Sequence, residues 1–149
     1  LQDDSITMSE SGAMVHYLID KYGAGKLRPT IDHPLYPTYL EWSWFAEATF
    51  TSSSSEIIRH KRAFPEDANI EVITEFKRRA TFCLEAVMRF LGEKKWLLGE
   101  DFSGADIMMG IALTTYMRHV AEPFPPVMQS YFDRLSARPA FIRTKQAES

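Results

Sequence analysis

Cysteine is nearly missing from this sequence. Cys83 is the only one in 149 residues, so no internal disulfide can form and the fold must rest on packing and hydrogen bonds. Such sparse thiol usage fits a reducing compartment, and a cytoplasmic location is the expectation. Long apolar runs are missing as well. Nothing approaches the roughly 20 residues a membrane-spanning helix needs, so no membrane is expected as a partner. Positive charge is not in excess: 17 Lys and Arg stand against 20 Asp and Glu, a net charge of −3, which gives no surface for a polyanion such as nucleic acid. The four histidines, His16, His33, His60 and His119, show no metal-ligand spacing with one another or with Cys83, so no metal is expected. A glycine-rich phosphate loop and a strand–turn–helix nucleophile motif are both lacking. The opening Leu1-Gln2-Asp3-Asp4 has neither an initiator Met nor a basic leader, and the chain reads as a piece of a longer protein.

What is present is organised around Trp96-Leu97-Leu98-Gly99-Glu100-Asp101-Phe102-Ser103-Gly104-Ala105-Asp106-Ile107. Ser103 is a good N-cap, and Asp106 three residues on can reach back to the cap's own N–H. That is a capping box with Asp in place of Glu or Gln, and Phe102 and Ile107 stand where a hydrophobic staple needs them. The helix it opens, running to about His119, is apolar nearly all round and is expected to be buried on most sides.

The rest falls into place in chain order. Ser5 to Met8 reads as a strand end after a turn at Asp3-Asp4, with its sheet partners expected upstream or on another chain. Ser9 to Gly12 opens a helix with Ala13, Met14, Tyr17 and Leu18 at helical spacing, closed at Gly23. Ser9 and Ser11 could cap that helix, or could mark an anion site on its free N–H groups. Residues 24–34, with Gly25, Pro29 and Pro34, read as a linker. A long helix with aromatic excess follows from Leu35, and the five hydroxyl residues Thr51 to Ser55 predict a bend, a frayed end or a short loop. Arg59-His60-Lys61-Arg62 suits a solvated helix end. Asn69 is expected to cap a helix whose face carries Ile73, Phe76, Ala80, Cys83, Leu84, Val87 and Leu91, closed at Gly92. Cys83 on that face reads as a small core residue. Val127, Met128, Tyr131, Phe132 and Leu135 form a last amphipathic face before Arg138-Pro139.

Three of these segments resemble glutathione transferases. The Trp96–Ile107 stretch is similar to that family's C-terminal capping box and staple. The run Glu10-Ser11-Gly12-Ala13-Met14 with Tyr17-Leu18 resembles its Glu/Asp-Ser-x-Ala-Ile-x-x-Tyr-Leu segment, with Met14 for Ile. Tyr131 to Phe141, with Arg134 and Arg138-Pro139-Ala140, resembles its closing segment, and Leu27 and Pro29 match a Leu-x-Pro often seen between its domains.

The resemblance implies a mainly α fold: a helical bundle over 35–149, a linker over 24–34, and over 1–23 the last strand and helix of a truncated thioredoxin-like domain. It implies a glutathione transferase of the soluble bacterial or fungal type, conjugating glutathione thiolate to an apolar electrophile, with glutathione as co-substrate and a homodimer as the assembly. Glu10 and Ser11 would hold the ammonium and carboxylate of the γ-glutamyl end. Trp42, Phe45, Thr49 and Phe50 would border the electrophile pocket, although packing between helices is the favoured reading for at least half of the aromatics on this helix. The thiol-activating residue would lie upstream, so no catalytic residue is assigned, and the chain alone would be inactive. A non-catalytic interaction module, or a glutathione-dependent reductase or isomerase on the same scaffold, is the alternative.

Overall fold

The computed structural model describes residues 1–147. It opens with a two-stranded antiparallel hairpin, β1 (Gln2–Asp3) and β2 (Ile6–Thr7), paired Gln2 to Thr7 and Asp3 to Ile6. The strand at Ile6 thus has one sheet partner inside the chain, β1. The turn falls at Asp4-Ser5, where Asp4 takes a left-handed φ of 51°, a conformation that Asp tolerates better than most side chains.

Seven helices follow: α1 (Ser11–Tyr22), α2 (Tyr36–Trp44), α3 (Ser52–Ala63), α4 (Ile70–Leu91), α5 (Gly104–His119), α6 (Pro126–Ser136) and α7 (Pro139–Ala147). Between α2 and α3 the helix is not broken by the hydroxyl run. It widens instead into a π-helical stretch, Phe45–Thr51, and continues. Two serines flank the widened stretch and bond back onto the helix. The Ser43 hydroxyl donates to the Tyr39 carbonyl and that of Ser53 to the Thr49 carbonyl, each at 2.7 Å. Hydroxyls bonded back one turn accommodate helical backbone that would otherwise compete with them.

Helix α5 is the axis of the bundle. Met109, Ala112 and Leu113 on it are fully buried, and it packs against α1, α2, the π stretch, α3 and α6. Among its apolar residues only Ile111 and Met117 are exposed by more than a third. Helix α4 is capped as its sequence requires, the Asn69 side chain accepting from the N–H groups of Glu71 and Val72 at 2.9 and 3.2 Å. Cys83 is buried on its inner face, and burial pushes its thiol pKa up, which suits a core residue rather than a nucleophile.

Two helices differ from expectation. The buried face of α1 is Gly12 and Ile19, with Val15 packed against the core, while Leu18 is exposed and Tyr17 turns to the hairpin. Gly12 packs on Met108, whose Cε lies at ordinary contact distance, 3.5 Å, from where a Cβ would be. Helix α7 lies beyond the last amphipathic face that the sequence shows, and Pro139 is its first residue, where a missing N–H costs nothing.

Asp3 pins the hairpin to α1. Its carboxylate accepts from Tyr17 Oη (2.7 Å), Lys21 Nζ (2.8 Å) and Tyr22 Oη (2.7 Å). The Lys21 hydrogen bond first, then those of Tyr17 and Tyr22, hold the Asp3 pKa at about 2 rather than 3.8. A carboxylate with a depressed folded pKa stabilises above its unfolded value and loses that contribution as pH falls through the folded one. The pin is therefore expected to hold fully above pH 3.8 and to release towards pH 2. A carboxyl NMR titration of Asp3 checks this, and a midpoint near the ordinary value of about 3.9 would show that the pin does not form.

Candidate functional site

The end of α1 that faces β2 is built by Glu10 and Ser11. Glu10 occupies the N-cap position with φ 70° and ψ 103°, a left-handed conformation for a residue with a side chain. Its carbonyl accepts the Met14 N–H at 3.0 Å. No side chain caps this helix, so neither Ser9 nor Ser11 plays the capping role open to it from sequence. Ser11 is the first helical residue, exposed, at the end where a helix presents its free N–H groups and the positive pole of its dipole. Its hydroxyl donates to Glu47 Oε2 at 3.2 Å. Glu47 comes from the π stretch, and sequence reasoning missed it. No motif marks it, because the widened turns set the direction of its side chain.

Beside this pair stands an aromatic wall. The His16 ring lies edge-on to Tyr39, with centroids 5.4 Å apart, and parallel to Trp44 at 6.4 Å. Trp44 is 57% exposed, so its ring is open to solvent. Burial is the main cause that depresses the His16 pKa, against the raising effect of Asp20. Burial likewise lifts Tyr39 to about 12. At neutral pH His16 is therefore neutral and Tyr39 protonated, and their side chains meet at 3.3 Å between Tyr39 Oη and His16 Nδ1.

The four residues expected along an electrophile pocket do not share one surface. Trp42 is buried, with its ring against Phe90 at 4.3 Å and Phe45 at 5.0 Å. Phe50 is fully buried against Tyr116 at 5.9 Å. Phe45 is half-buried and Thr49 is exposed. Inward packing is thus the observed role of Trp42 and Phe50, and Trp44 is the aromatic of this helix that reaches solvent.

The capping box at the head of α5 is formed. The Ser103 N–H donates to Asp106 Oδ2 at 2.9 Å, and the Ser103 hydroxyl turns to the same oxygen at 2.9 Å. The other oxygen, Oδ1, accepts from the Leu97 N–H at 2.9 Å and from Tyr131 Oη at 2.7 Å. Asp106 is wholly buried. One carboxylate thus joins the Trp96–Gly99 turn, the cap and α6, and the Tyr131 bond, 25 positions away in sequence, has no local signal. Burial, then the Asp106 charge, pushes the Tyr131 pKa well up, so the phenol stays a donor. The first N–H of α5, from Gly104, donates to the Leu27 carbonyl at 2.7 Å. Among the described residues no three His, Cys, Asp or Glu side chains gather as a metal site, and no helix is long and apolar enough to cross a membrane.

Comparison with solved structures places this architecture. The bacterial GST BphK, in a ternary complex, aligns with a TM-score of 0.83 at 24% identity over 99% of this chain and 71% of its own. The sphingomonad glutathione S-transferase complexed with glutathione gives 0.82 at 22%, over 99% and 72%. Ure2p5 of Phanerochaete chrysosporium, cocrystallised with 1-(S-glutathionyl)-2,4-dinitrobenzene, gives 0.84 at 17%, over 97% and 70%. The chain therefore has the fold of a glutathione transferase C-terminal helical domain with a small thioredoxin-like remnant at its start. It spans about two thirds of the length of such chains, 66% of a glutathione S-transferase from Actinobacillus pleuropneumoniae for instance. No family model matches the sequence, and no curated protein does.

Proposed function

We propose that this chain is the C-terminal part of a glutathione transferase and that Glu10 and Ser11 hold the γ-glutamyl end of glutathione. The supporting observation is the uncapped N-terminus of α1. Exposed Ser11 leads it, with Glu10 beside it, in a fold shared with proteins solved with glutathione bound. The ligand carboxylate meets the Ser11 hydroxyl and the free N–H groups of the first turn, where the dipole favours an anion. Glu10 faces the ammonium group. Glu47, which holds the Ser11 hydroxyl in the free protein, yields that hydrogen bond to the ligand and turns to the same ammonium.

The chemistry is attack of the glutathione thiolate on an electrophilic carbon. A free thiol, with a pKa of about 8.5, is mostly protonated at neutral pH, so a donor aimed at sulfur must lower that value. In this reading that donor lies upstream of Leu1, and the residues in hand supply only the anchor that positions the peptide. Residues 1–23 then form the end of the glutathione-binding domain, 24–34 the connection, and 35–149 the helical domain of a homodimeric, cytoplasmic enzyme. The alternative scaffold uses, a docking module or a glutathione-dependent reductase, have no observation in their favour here.

The test is Ser11→Ala in the full-length parent. A hydrogen bond to a charged group is worth roughly 1–3 kcal/mol, so KM for glutathione is expected to rise about fivefold or more. An unchanged KM counts against the role. The 149-residue chain alone is expected to conjugate no chloro-nitrobenzene. Turnover at the rate of an intact transferase would refute the view that the activating group is absent from it.

A further inference from the structure

At the other end of α1, its last turns and the linker that follows enclose an open pocket of about 500 Å³. That is within the range of small-molecule sites, roughly 300–1,000 Å³. Asp20, on its wall, lies about 14 Å beyond Ser11 along the helix at 1.5 Å per residue, so the pocket is separate from the Glu10–Ser11 end. Ile19 and Asp20 of α1 form one side, Lys26, Arg28 and Thr30 of the linker the other, and Tyr36 at the head of α2 completes it. The linker turns back on α1 through Ala24 and Gly25, whose φ values of 49° and 76° are left-handed. The Lys26 N–H closes that turn on the Gly23 carbonyl at 2.9 Å.

The donors gathered here are largely unused. Arg28 Nε pairs with Asp20 Oδ1 at 2.5 Å. That bond fixes the plane of the guanidinium and leaves its two terminal nitrogens without a partner among the described residues, as a ready fork of donors. Lys26 Nζ, the Thr30 hydroxyl and the Tyr36 hydroxyl are likewise unengaged among the described residues. Lys26 and Arg28 stand against Asp20 alone, so the lining carries an excess of positive charge on a chain that is acidic overall. The last turn of α1 disfavours an anion through its dipole, so attraction must come from Lys26 and Arg28. The rest of the lining is apolar, with Pro29 and with Ile31, which is 72% exposed.

We propose that this pocket binds a small phosphomonoester, its phosphate held between Arg28 and Lys26 and its apolar body laid on Pro29 and Ile31. A phosphomonoester brings a charge of about −1.5 to −2 at pH 7 and three strong acceptor oxygens. The Arg28 fork matches two of those oxygens, and Lys26 adds a point charge that a singly charged head group would use less well. A ligand so held joins α1 to the linker.

Isothermal titration of the chain with phenyl phosphate tests this, with phenol and benzenesulfonate as the uncharged and singly charged controls. Saturable binding of phenyl phosphate is expected, with benzenesulfonate about tenfold weaker and phenol weaker still, because charge-assisted hydrogen bonds are lost in that order. Arg28→Gln should weaken phenyl phosphate about tenfold or more. Lys26→Glu, at an exposed position where circular dichroism should show the fold intact, should abolish binding. Absence of saturable binding overturns the proposal, and so does equal affinity for benzenesulfonate or phenol. Retention of full affinity in either variant also overturns it, since the phosphate would then sit elsewhere, at the head of α1 for instance. None of these outcomes depends on glutathione, so the proposal stands or falls apart from the transferase reading.

Discussion

Replacing Asp106 with alanine is expected to cost about 3–5 kcal/mol of folding stability, the range for removing one member of a buried charged network. The carboxylate is fully buried and is the shared acceptor for the Leu97 N–H, the Ser103 N–H, the Ser103 hydroxyl and the Tyr131 phenol. Its loss strands four donors where water cannot reach them, and each stranded donor costs about 1–3 kcal/mol, less when several relax together. Against a typical total of about 5–15 kcal/mol, the variant would sit near the edge of folding. Tyr131→Phe removes one donor and leaves the other three in place, so about 1–2 kcal/mol is expected. In a double-mutant cycle the two changes should couple rather than add. Urea unfolding followed by circular dichroism reads all three values. An Asp106→Ala loss under about 1 kcal/mol would mean that the network does not hold the bundle together.

Phe50→Ala is expected to destabilise by about 3–5 kcal/mol, while its neighbour Thr49→Ala should stay within about 0.5 kcal/mol. Phe50 is fully buried against Tyr116, so truncation opens a cavity between the π stretch and α5 that the packed surroundings fill only in part. Thr49 is exposed, and what it gives the structure is its carbonyl, which accepts from Ser53 and survives the substitution. The pair distinguishes two uses of this helix. A ring that lines a ligand site can be removed with small loss of stability and a large loss of binding, whereas a core ring gives the reverse. Equal, small losses at both positions would return Phe50 to the candidate pocket residues.

The sequence signals that survived were those set by neighbours within one turn of helix. Ser103 and Asp106, and Asn69 with Glu71, state their hydrogen bonds in the spacing of the residues themselves, and both caps form. What stayed hidden was whatever depends on a distant partner or on a departure from helical period. Tyr131 reaches Asp106 across 25 residues. Glu47 reaches Ser11 across 36 because the backbone from Phe45 to Thr51 widens, and a period of 3.6 gives no warning of that. The face of α1 escapes periodicity because Gly12 is one of its two buried residues, and periodicity counts only the side chains that are there. The Glu10–Ser11 pair was visible as a motif, but the wall of His16, Tyr39 and Trp44 beside it needed two helices to be set against each other.

The Leu27 carbonyl has a consequence for motion. Residues 24–34 carry the glycine and prolines expected of a linker, yet at Leu27 the backbone is fastened to the first amide of α5. Leu27 holds a φ of 68° to make that reach. A tether fixed partway along cannot swing from its two ends; it can only pivot about the fastened point. Any rocking of the hairpin and α1 over the bundle must turn around Leu27 or break its bond to Gly104, and must also give up the Ser11–Glu47 and Tyr39–His16 bonds.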